Sequence, residues 1–462
     1  MKISKNLLMI CYLLCCFTTA QAEVHEFSLK NGLKLLVKED HRAPVVVSQV
    51  WYKVGSSYEH EGITGISHAL EHMMFKGTKK YPAGEFSRII SANGGEENAF
   101  TGADYTAYFQ TMEKSRLEIS FKLEADRMRN LSIVDAEFLK EIKVVQEERR
   151  MRTEDNPRAF SHEVAMATAY QTSPYRQPIV GWMADLQSMQ SDNLKDWYRQ
   201  WYAPNNATVV VAGDVIPEDV YKLAKKYFGK LKAEKISPPN SISEVEQYGI
   251  KRVVIKRPAE IPHILMAYKI PALRTTLVES AIIEQWEPYA LEVLAGVLDG
   301  GSSARFASRL VRGKEIASNV GAGYPLTSRL DGLFTLSGTP AQGKTTDELE
   351  IAIRQELTDL QNNPVSEQEL ERVKAQVVSS DIYEKDSVFY QGMILGMLET
   401  VGLSWTIVDE YVDRVKAVTA EQVQSVARKY FIDDRLTVAV LEPQAIDRSV
   451  RRAANGGQSH GR

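Results

Sequence analysis

The chain has 462 residues, of which 44% are hydrophobic and 25% are charged. This composition is typical of a globular protein with two or three domains, and it excludes intrinsic disorder over most of the chain. The 56 Lys and Arg residues nearly balance the 60 Asp and Glu residues, which leaves a net charge of -4. Such a balance gives no global field for a polyanion, so we expect no nucleic-acid partner.

Residues 1–22 have the pattern of a secretory signal peptide. Lys2 and Lys5 give a basic start, an apolar run follows, and residues 20–22 (Ala-Gln-Ala) form a small-x-small cleavage site. An uncleaved membrane anchor is the alternative interpretation of the same pattern. No later stretch is long and apolar enough to span a bilayer. We therefore expect secretion across the inner membrane into a bacterial periplasm, without stable membrane insertion.

The three cysteines, Cys11, Cys15 and Cys16, all lie within that segment. The mature chain would then have no disulfide, and it would offer no thiolate for catalysis or metal binding. A chain of this length can rely on a large hydrophobic core instead.

The mature chain begins with short β-type runs and continues into long helical patterns. Residues 32–37 and 45–54 predict strands, whereas residues 115–129 and 134–152 predict helices. Strands and helices do not alternate regularly, so we predict an α+β fold in which helices cover a largely antiparallel sheet.

The second part of the chain resembles the first. Leu194 and Thr208 superimpose on Val423 and Thr437 at one shift of 229 positions, and both segments predict a helix followed by a strand. The polar stretch 236–248 predicts a linker between residues 23–235 and 249–445. Residues 446–462 are rich in Arg, Gly and Ser and predict a disordered tail. Two homologous halves are therefore expected.

The most informative motif is H-x-x-E-H at residues 68–72. On a helix, His68 and His72 project from one face one turn apart, a spacing that suits two imidazoles on one zinc ion. Glu71 lies on the same edge, where it can reach a water on the metal rather than the metal itself. The surrounding residues are apolar, so a solvated surface helix explains the motif poorly. The pattern is the inverse of H-E-x-x-H and is typical of inverzincins.

A catalytic zinc site usually takes a third protein ligand. The predicted helix 134–152 carries Glu141, Glu147 and Glu148, of which Glu141 and Glu148 share one face. A solvated acidic stripe paired with Arg149, Arg150 and Arg152 is the alternative interpretation of these carboxylates.

The chain resembles the pitrilysin/insulinase family of zinc peptidases, especially the short bacterial members and the β-subunit of the mitochondrial processing peptidase. The resemblance rests on Gly55, Glu59, Gly65, the segment 68–72 and the run 75–78 (Phe-Lys-Gly-Thr), and it extends over nearly the whole mature chain. It implies two homologous halves that enclose a peptide chamber, with one Zn²⁺ per chain in the first half and a degenerate second half.

The resemblance also implies roles for individual residues. Glu148 is implied as the third ligand beside His68 and His72, Glu71 as the general base, and Glu141 as an orienting residue of the catalytic site. Residues 97–109 predict one strand, which the resemblance places at an exposed edge beside the zinc site. The substrate-binding residues that the resemblance implies are Asn98, Ala99 and Thr101 on that strand, and Arg305 and Arg312 in the second half. Many members have a substrate-binding Tyr at the position that Ser318 occupies here. Tyr324 lies too far along the chain to take that position.

A serine or cysteine hydrolase is not indicated, since no G-x-S-x-G motif occurs and the mature chain lacks Cys. The non-enzyme alternative is a peptide-binding subunit that is inactive or needs a partner. Such a subunit would have lost part of the zinc set, whereas His68, Glu71, His72 and Glu148 are all present. We therefore predict an exported zinc endopeptidase that acts on unstructured peptides, and that pairs either with itself or with an inactive homologue.

Overall fold

The computed structural model describes residues 23–237, 243–278 and 282–446. The predicted signal peptide lies outside the described residues, as do residues 238–242 of the predicted linker and all but the first residue of the predicted tail. In the described parts of the chain, no helix is both long enough and apolar enough to cross a membrane.

The first half is built on a sheet of six strands, β1 to β6, with eight helices. The strands are β1 Val24–Ser28, β2 Lys34–Glu39, β3 Val45–Tyr52, β4 Glu96–Thr101, β5 Thr106–Glu113 and β6 Ala207–Gly213. The helices are α1 Ile66–Met73, α2 Glu85–Ala92, α3 Leu117–Asn130, α4 Asp135–Arg149, α5 Pro157–Ala169, α6 Met183–Ser188, α7 Ser191–Trp201 and α8 Pro217–Tyr227.

The second half is built on a sheet of five strands, β7 to β11. The strands are β7 Lys251–Pro258, β8 His263–Ile270, β9 Ala317–Gly323, β10 Gly332–Pro340 and β11 Leu436–Gln444. The helices are α9 Leu273–Thr276, α10 Glu287–Asp299, α11 Thr346–Asn362, α12 Glu367–Lys385, α13 Val388–Val401, α14 Ile407–Lys416 and α15 Ala420–Tyr430.

The five strands of the second sheet have the same order as β2 to β6 of the first, and β1 is an additional edge strand of the first sheet. The first has the order β1-β2-β6-β3-β5-β4 and the second β7-β11-β8-β10-β9. In each sheet one pair is parallel, β2 with β6 and β7 with β11, and the other pairs are antiparallel. Helix α7 and strand β6 begin 229 positions before α15 and β11 respectively, as the repeat predicts. The predicted α+β fold with two homologous, largely antiparallel halves is confirmed.

The two halves exchange a helix. Helix α5 of the first half packs on the second sheet, where Ala165 joins a buried cluster with Leu265 and Ala439. Helix α13 of the second half packs on the first sheet, where Leu395 contacts a cluster that contains Trp51 and Val210. Each half therefore completes the helical covering of the other half's sheet, which fixes the two sheets relative to each other.

This exchange explains why the run 45–54 is apolar at seven of its ten positions and does not alternate. Successive residues of a strand point to opposite faces of the sheet. On β3, Val50 and Tyr52 face the core beneath the helices of the first half, whereas Trp51 faces α13. A strand that is buried on both faces cannot alternate between apolar and polar residues.

One predicted element was wrong in its extent. The stretch 97–109 was expected to form a single strand, but it contains the end of β4, a turn at residues 102–105 and the start of β5. Gly102 N–H donates to the carbonyl of Tyr105 at 2.8 Å, which closes the turn. Strand β4 does lie at the edge of its sheet, as expected.

The close packing of α13 on β3 depends on Gly396. A Cβ atom at this position would lie 2.2 Å from Nε1 of Trp51, whose side chain is fully buried. We expect Gly396→Ala to lower the free energy of unfolding by about 1–3 kcal/mol, because the buried indole cannot move away. The penalty should exceed the roughly 1 kcal/mol that alanine gains in an unhindered helix.

Chemical denaturation of the purified variants measures this effect. Gly229→Ala is the matched control, since its Cβ would lie 3.7 Å from the nearest atom, an ordinary contact. A Gly396→Ala variant as stable as the unmodified chain would contradict this description of the packing.

Candidate active site

Helix α1 carries the H-x-x-E-H motif, and its first turn is held by a buried carboxylate. Glu59 accepts hydrogen bonds from the backbone N–H groups of Gly65 at 2.7 Å and Ser67 at 2.8 Å. These bonds satisfy donors that the start of a helix leaves without partners. Burial raises the pKa of Glu59 to about 7. Gly65 has a φ of 84°, and a Cβ there would lie 2.4 Å from the carbonyl oxygen of Val180.

His68, His72 and Glu148 converge on one point. Glu148 Oε2 lies 3.3 Å from His72 Nε2 and 3.8 Å from His68 Nε2, and the three ligand atoms all lie within 4.8 Å of one another. Two ligands of a tetrahedral zinc ion stand roughly 3.3 Å apart. The three side chains therefore fit a zinc ion with little movement.

Burial gives His68 the protonation state that metal binding requires. Removal from water is the main reason why the pKa of His68 falls to about 3, so the imidazole is neutral at physiological pH. Neutral imidazole is the form that ligates metals. The Nδ1 atom of the same ring is buried, and none of the described residues forms a hydrogen bond with it.

Glu141 and Lys76 form the layer behind the predicted ligands. Glu141 Oε1 lies 3.0 Å from Nδ1 of His72, and its other oxygen lies 2.5 Å from Nζ of Lys76. A carboxylate on the far nitrogen of a ligating imidazole fixes the tautomer and the orientation of the ring. Glu141 therefore contacts His72, and its orienting role stays a prediction. The predictions from sequence did not include Lys76, although it lies one turn after His72.

The end of α4, which carries Glu148, is held by Arg149. The guanidinium donates to both oxygens of Glu163 on α5 at 2.8 Å each, and to the carbonyl oxygen of Gly181 at 2.7 Å. A π-helical segment, Arg150–Glu154, follows α4 directly. Part of the alternative interpretation, an acidic stripe paired with arginines, is also present, since Arg152 pairs with Glu148 at 2.7 Å and Arg150 pairs with Glu147.

Glu71 projects beside the three predicted ligands without joining them. Its carboxylate accepts a hydrogen bond from the hydroxyl of Thr101 at 2.5 Å, and burial raises its pKa. Thr101 is the last residue of β4, so the edge strand fixes the orientation of this carboxylate. The predicted contact of Thr101 with substrate stays a prediction. The structure adds a contact that was not predicted, the hydrogen bond from its hydroxyl to Glu71.

Asn98 and Ala99 are neighbours on the same strand, where Asn98 is exposed and Ala99 is half-buried against the core of the first half. The N–H of Ala99 is bound by the side chain of Asn98 at 2.8 Å rather than by strand β5. Because β4 is an edge strand, its outward N–H and C=O groups are available to an extended peptide.

Both halves line a chamber of about 1820 Å³ around these groups. His68, Glu71 and Asn98 line it from the first half, and Tyr324 and Leu333 line it from the second. At one end, Asp104 of the β4–β5 turn pairs with Arg329 of the second half at 3.1 Å. The expected enclosure of a chamber by two halves is confirmed.

The structure does not bring Arg305 or Arg312 to this chamber. Arg305 is only 4% exposed and pairs with Glu369 at 2.8 Å and Asp359 at 3.0 Å. Arg312 donates to the carbonyl oxygen of Ser302. Their predicted contact with substrate is therefore not supported. The partners of Arg305 are carboxylates distant in sequence, and a local sequence pattern cannot reveal such contacts.

The tyrosine judged too far along the chain does reach the chamber. Tyr324 lines the chamber, with its hydroxyl donating to the carbonyl oxygen of Pro271 at 2.8 Å. Ser318, which stands at the expected tyrosine position, instead donates to the carbonyl oxygen of Thr339 at 3.2 Å.

Comparison with known proteins agrees with this geometry. The family model described as Insulinase (Peptidase family M16) matches residues 34–181, and the one described as Peptidase M16 inactive domain matches residues 188–377. The zinc protease PqqE of Helicobacter pylori is 32% identical over 90% of this chain and 92% of its own. The chain belongs to the pitrilysin/insulinase (M16) family of metallopeptidases.

Further relatives match nearly the whole length of this chain. The uncharacterized zinc protease YmxG of Bacillus subtilis is 26% identical over 91% of this chain and 98% of its own. A crystal structure of a protease from Helicobacter pylori superimposes with a TM-score of 0.85 at 29% identity, covering 91% of this chain and all of that one. The periplasmic protease PqqL of Escherichia coli has the same fold, with a TM-score of 0.75 at 17% identity, and this chain covers 50% of its length.

The contact between Glu141 and His72 makes a testable prediction. The carboxylate of Glu141 contacts both His72 and Lys76, whereas the amide of Glu141→Gln has only one oxygen and carries no charge. The ring of His72 is then held less firmly, so we expect zinc affinity to fall about 10–100-fold. Competition with a chromogenic chelator measures this affinity. Glu137→Gln, one turn earlier on α4 and paired with Lys140, is the control and should bind zinc like the unmodified chain. Equal zinc affinities for Glu141→Gln and Glu137→Gln would contradict a role for Glu141 in holding the metal site.

Proposed function

We propose that the chain is an exported, zinc-dependent endopeptidase that hydrolyses unstructured peptides. The observation that carries this proposal is the convergence of two imidazoles and one carboxylate within 4.8 Å, beside a second carboxylate that is not part of the set. Membership of a metallopeptidase family and the relatives named zinc proteases support it. One Zn²⁺ per chain would be held by His68, His72 and Glu148.

When bound there, zinc acts as a Lewis acid that polarises a carbonyl oxygen and lowers the pKa of a water molecule. Glu71 then has the role of general base: its carboxylate takes a proton from the attacking water and delivers it to the nitrogen of the leaving amine. The hydroxyl of Thr101 holds that carboxylate in place. Glu141 supports the ring of His72 rather than touching substrate.

The substrate must be extended to be cut. An added strand on the outer edge of β4 would pair with the backbone near Asn98 and Ala99, a mode that selects for backbone more than for side chains. A folded protein cannot present several extended residues inside the chamber without local unfolding. Peptides and unfolded segments are therefore the substrate class.

Export is proposed from residues 1–22 and from the name of one neighbour. Residues 1–22 have the pattern of a signal peptide. The neighbour from Escherichia coli is described as a periplasmic protease. A bacterial periplasm is the compartment that both favour.

The alternative function is that of a peptide-binding subunit that is inactive or needs a partner. It is favoured by the match of residues 188–377 to a domain described as inactive, and by a neighbour that contains twice the length of this chain. A second copy of this chain or an inactive homologue would be the partner.

Replacement of Glu71 tests the proposed function. Glu71→Gln should keep its zinc but lose hydrolysis of a flexible peptide by about 10²–10⁴-fold, because the amide cannot accept the proton. Metal content and kcat/KM are measured on the same preparations. Glu147→Gln is the control, since Glu147 also lines the chamber but pairs with Arg150.

The outcomes separate the two functions. Equal hydrolysis by the unmodified chain and by Glu71→Gln would contradict a catalytic role for this site. Activity that appears only after mixing with a second chain, and that still needs Glu71, would favour the subunit that needs a partner.

A further inference from the structure

We propose that the chamber selects acidic peptides, with Asp or Glu side chains facing α4 and apolar side chains facing the second half. This inference rests on the proposed peptidase function and names its substrate class. It follows from which charges along the chamber wall are already paired within the chain and which are left for a substrate.

Among the described residues, each carboxylate that lines the chamber has a hydrogen-bond donor from the chain itself. A matched carboxylate offers little attraction to a basic substrate side chain, since its charge and its hydrogen-bond acceptors are already in use. Arginines pair with Glu148 (Arg152), Glu163 (Arg149) and Asp104 (Arg329, with Tyr175 as a second donor). Glu71 accepts a hydrogen bond from the neutral hydroxyl of Thr101, and Glu147 pairs with Arg150 where water reaches both side chains.

The cations of the chamber wall are less fully used. Lys143 lines the chamber on the exposed side of α4, and none of the described residues forms an ion pair with it. Arg152 is 75% exposed at its side chain and gives one nitrogen to Glu148, which leaves other N–H donors free. Arg176 pairs with Glu61, whose side chain is 79% exposed, so water weakens that pair. The free charge of this wall is therefore positive.

The opposite wall carries no charge. Among the described residues, those that line the chamber between positions 323 and 401 are all uncharged, and the larger ones include Tyr324, Leu333, Met397 and Val401. The two walls thus offer different chemistry to the two sides of one peptide.

An extended peptide presents its side chains alternately to the two walls. On β4, Thr101 points to Glu71 of α1, whereas the ring of Phe100 contacts Trp51 on the side where α13 packs. A peptide that pairs with β4 repeats this alternation. Its side chains on the α1 and α4 side meet Lys143 and Arg152, and those on the other side meet apolar residues.

The test is a set of flexible peptides with one cleavage site, in which Glu, Gln or Lys is placed in turn at each position around that site. We expect Glu to be preferred over Lys by about tenfold in kcat/KM at alternate positions, and less at the positions between them. The preference should shrink in about 0.5 M salt, because added ions screen exposed charges.

Charge reversal assigns the preference to the chamber wall. Lys143→Glu should lower the Glu-over-Lys ratio by about tenfold while the Gln peptide is still cut. Lys140→Glu is the matched control, since Lys140 lies on the same helix, is exposed, pairs with Glu137 and does not line the chamber.

Each outcome bears on a different claim. A Lys peptide cut as fast as the Glu peptide at every position would overturn the acidic preference while leaving peptide hydrolysis intact. An equal change in both variants would overturn the assignment of that preference to Lys143 on the chamber wall. If no peptide in the set is cut, including the neutral Gln series, the proposed function itself fails.

Discussion

The candidate site depends on the distance between two helices that are far apart in sequence. Helix α1 fixes the relation of His68 to His72, but only the packing of α4 against α1 brings Glu148 within 3.3 Å of an imidazole nitrogen. All three side chains are largely withdrawn from water, where polar groups need partners. A cation at their centre would be a partner for all three side chains at once. The packing of α1 against α4 therefore determines whether the site can bind a metal ion.

One loop ties the ends of these helices together. Gly181 accepts a hydrogen bond from Arg149 at the end of α4, and its backbone packs so closely on Thr64, just before α1, that a Cβ would lie 2.3 Å from the carbonyl oxygen of Thr64. Arg149 also binds Glu163 of α5, which covers the second sheet. The second half therefore contributes to the first half's site through packing, although it supplies none of the three predicted ligands.

How much of this could be predicted depended on the range of the interactions. Two halves, an edge strand and the convergence of His68, His72 and Glu148 followed from helical spacing, a repeat and a family resemblance, because such patterns are local or shared. The exchange of α5 and α13 could not be predicted, since a helix with an apolar face does not specify which sheet it will cover. The predicted contact of Arg305 with substrate is not supported for the same reason, since its partners Asp359 and Glu369 lie on helices distant in sequence. Tyr324 reaches the chamber from the loop between β9 and β10, whose residues Pro325 and Thr327 also line it.

X-ray absorption spectroscopy of the full chain loaded with stoichiometric zinc tests the central claim most directly. The account predicts two imidazole nitrogens and a carboxylate oxygen among the nearest neighbours of the metal, with one imidazole lost in His68→Ala and the other in His72→Ala. A metal shell without imidazole, or one that neither substitution changes, would contradict the assignment of this site.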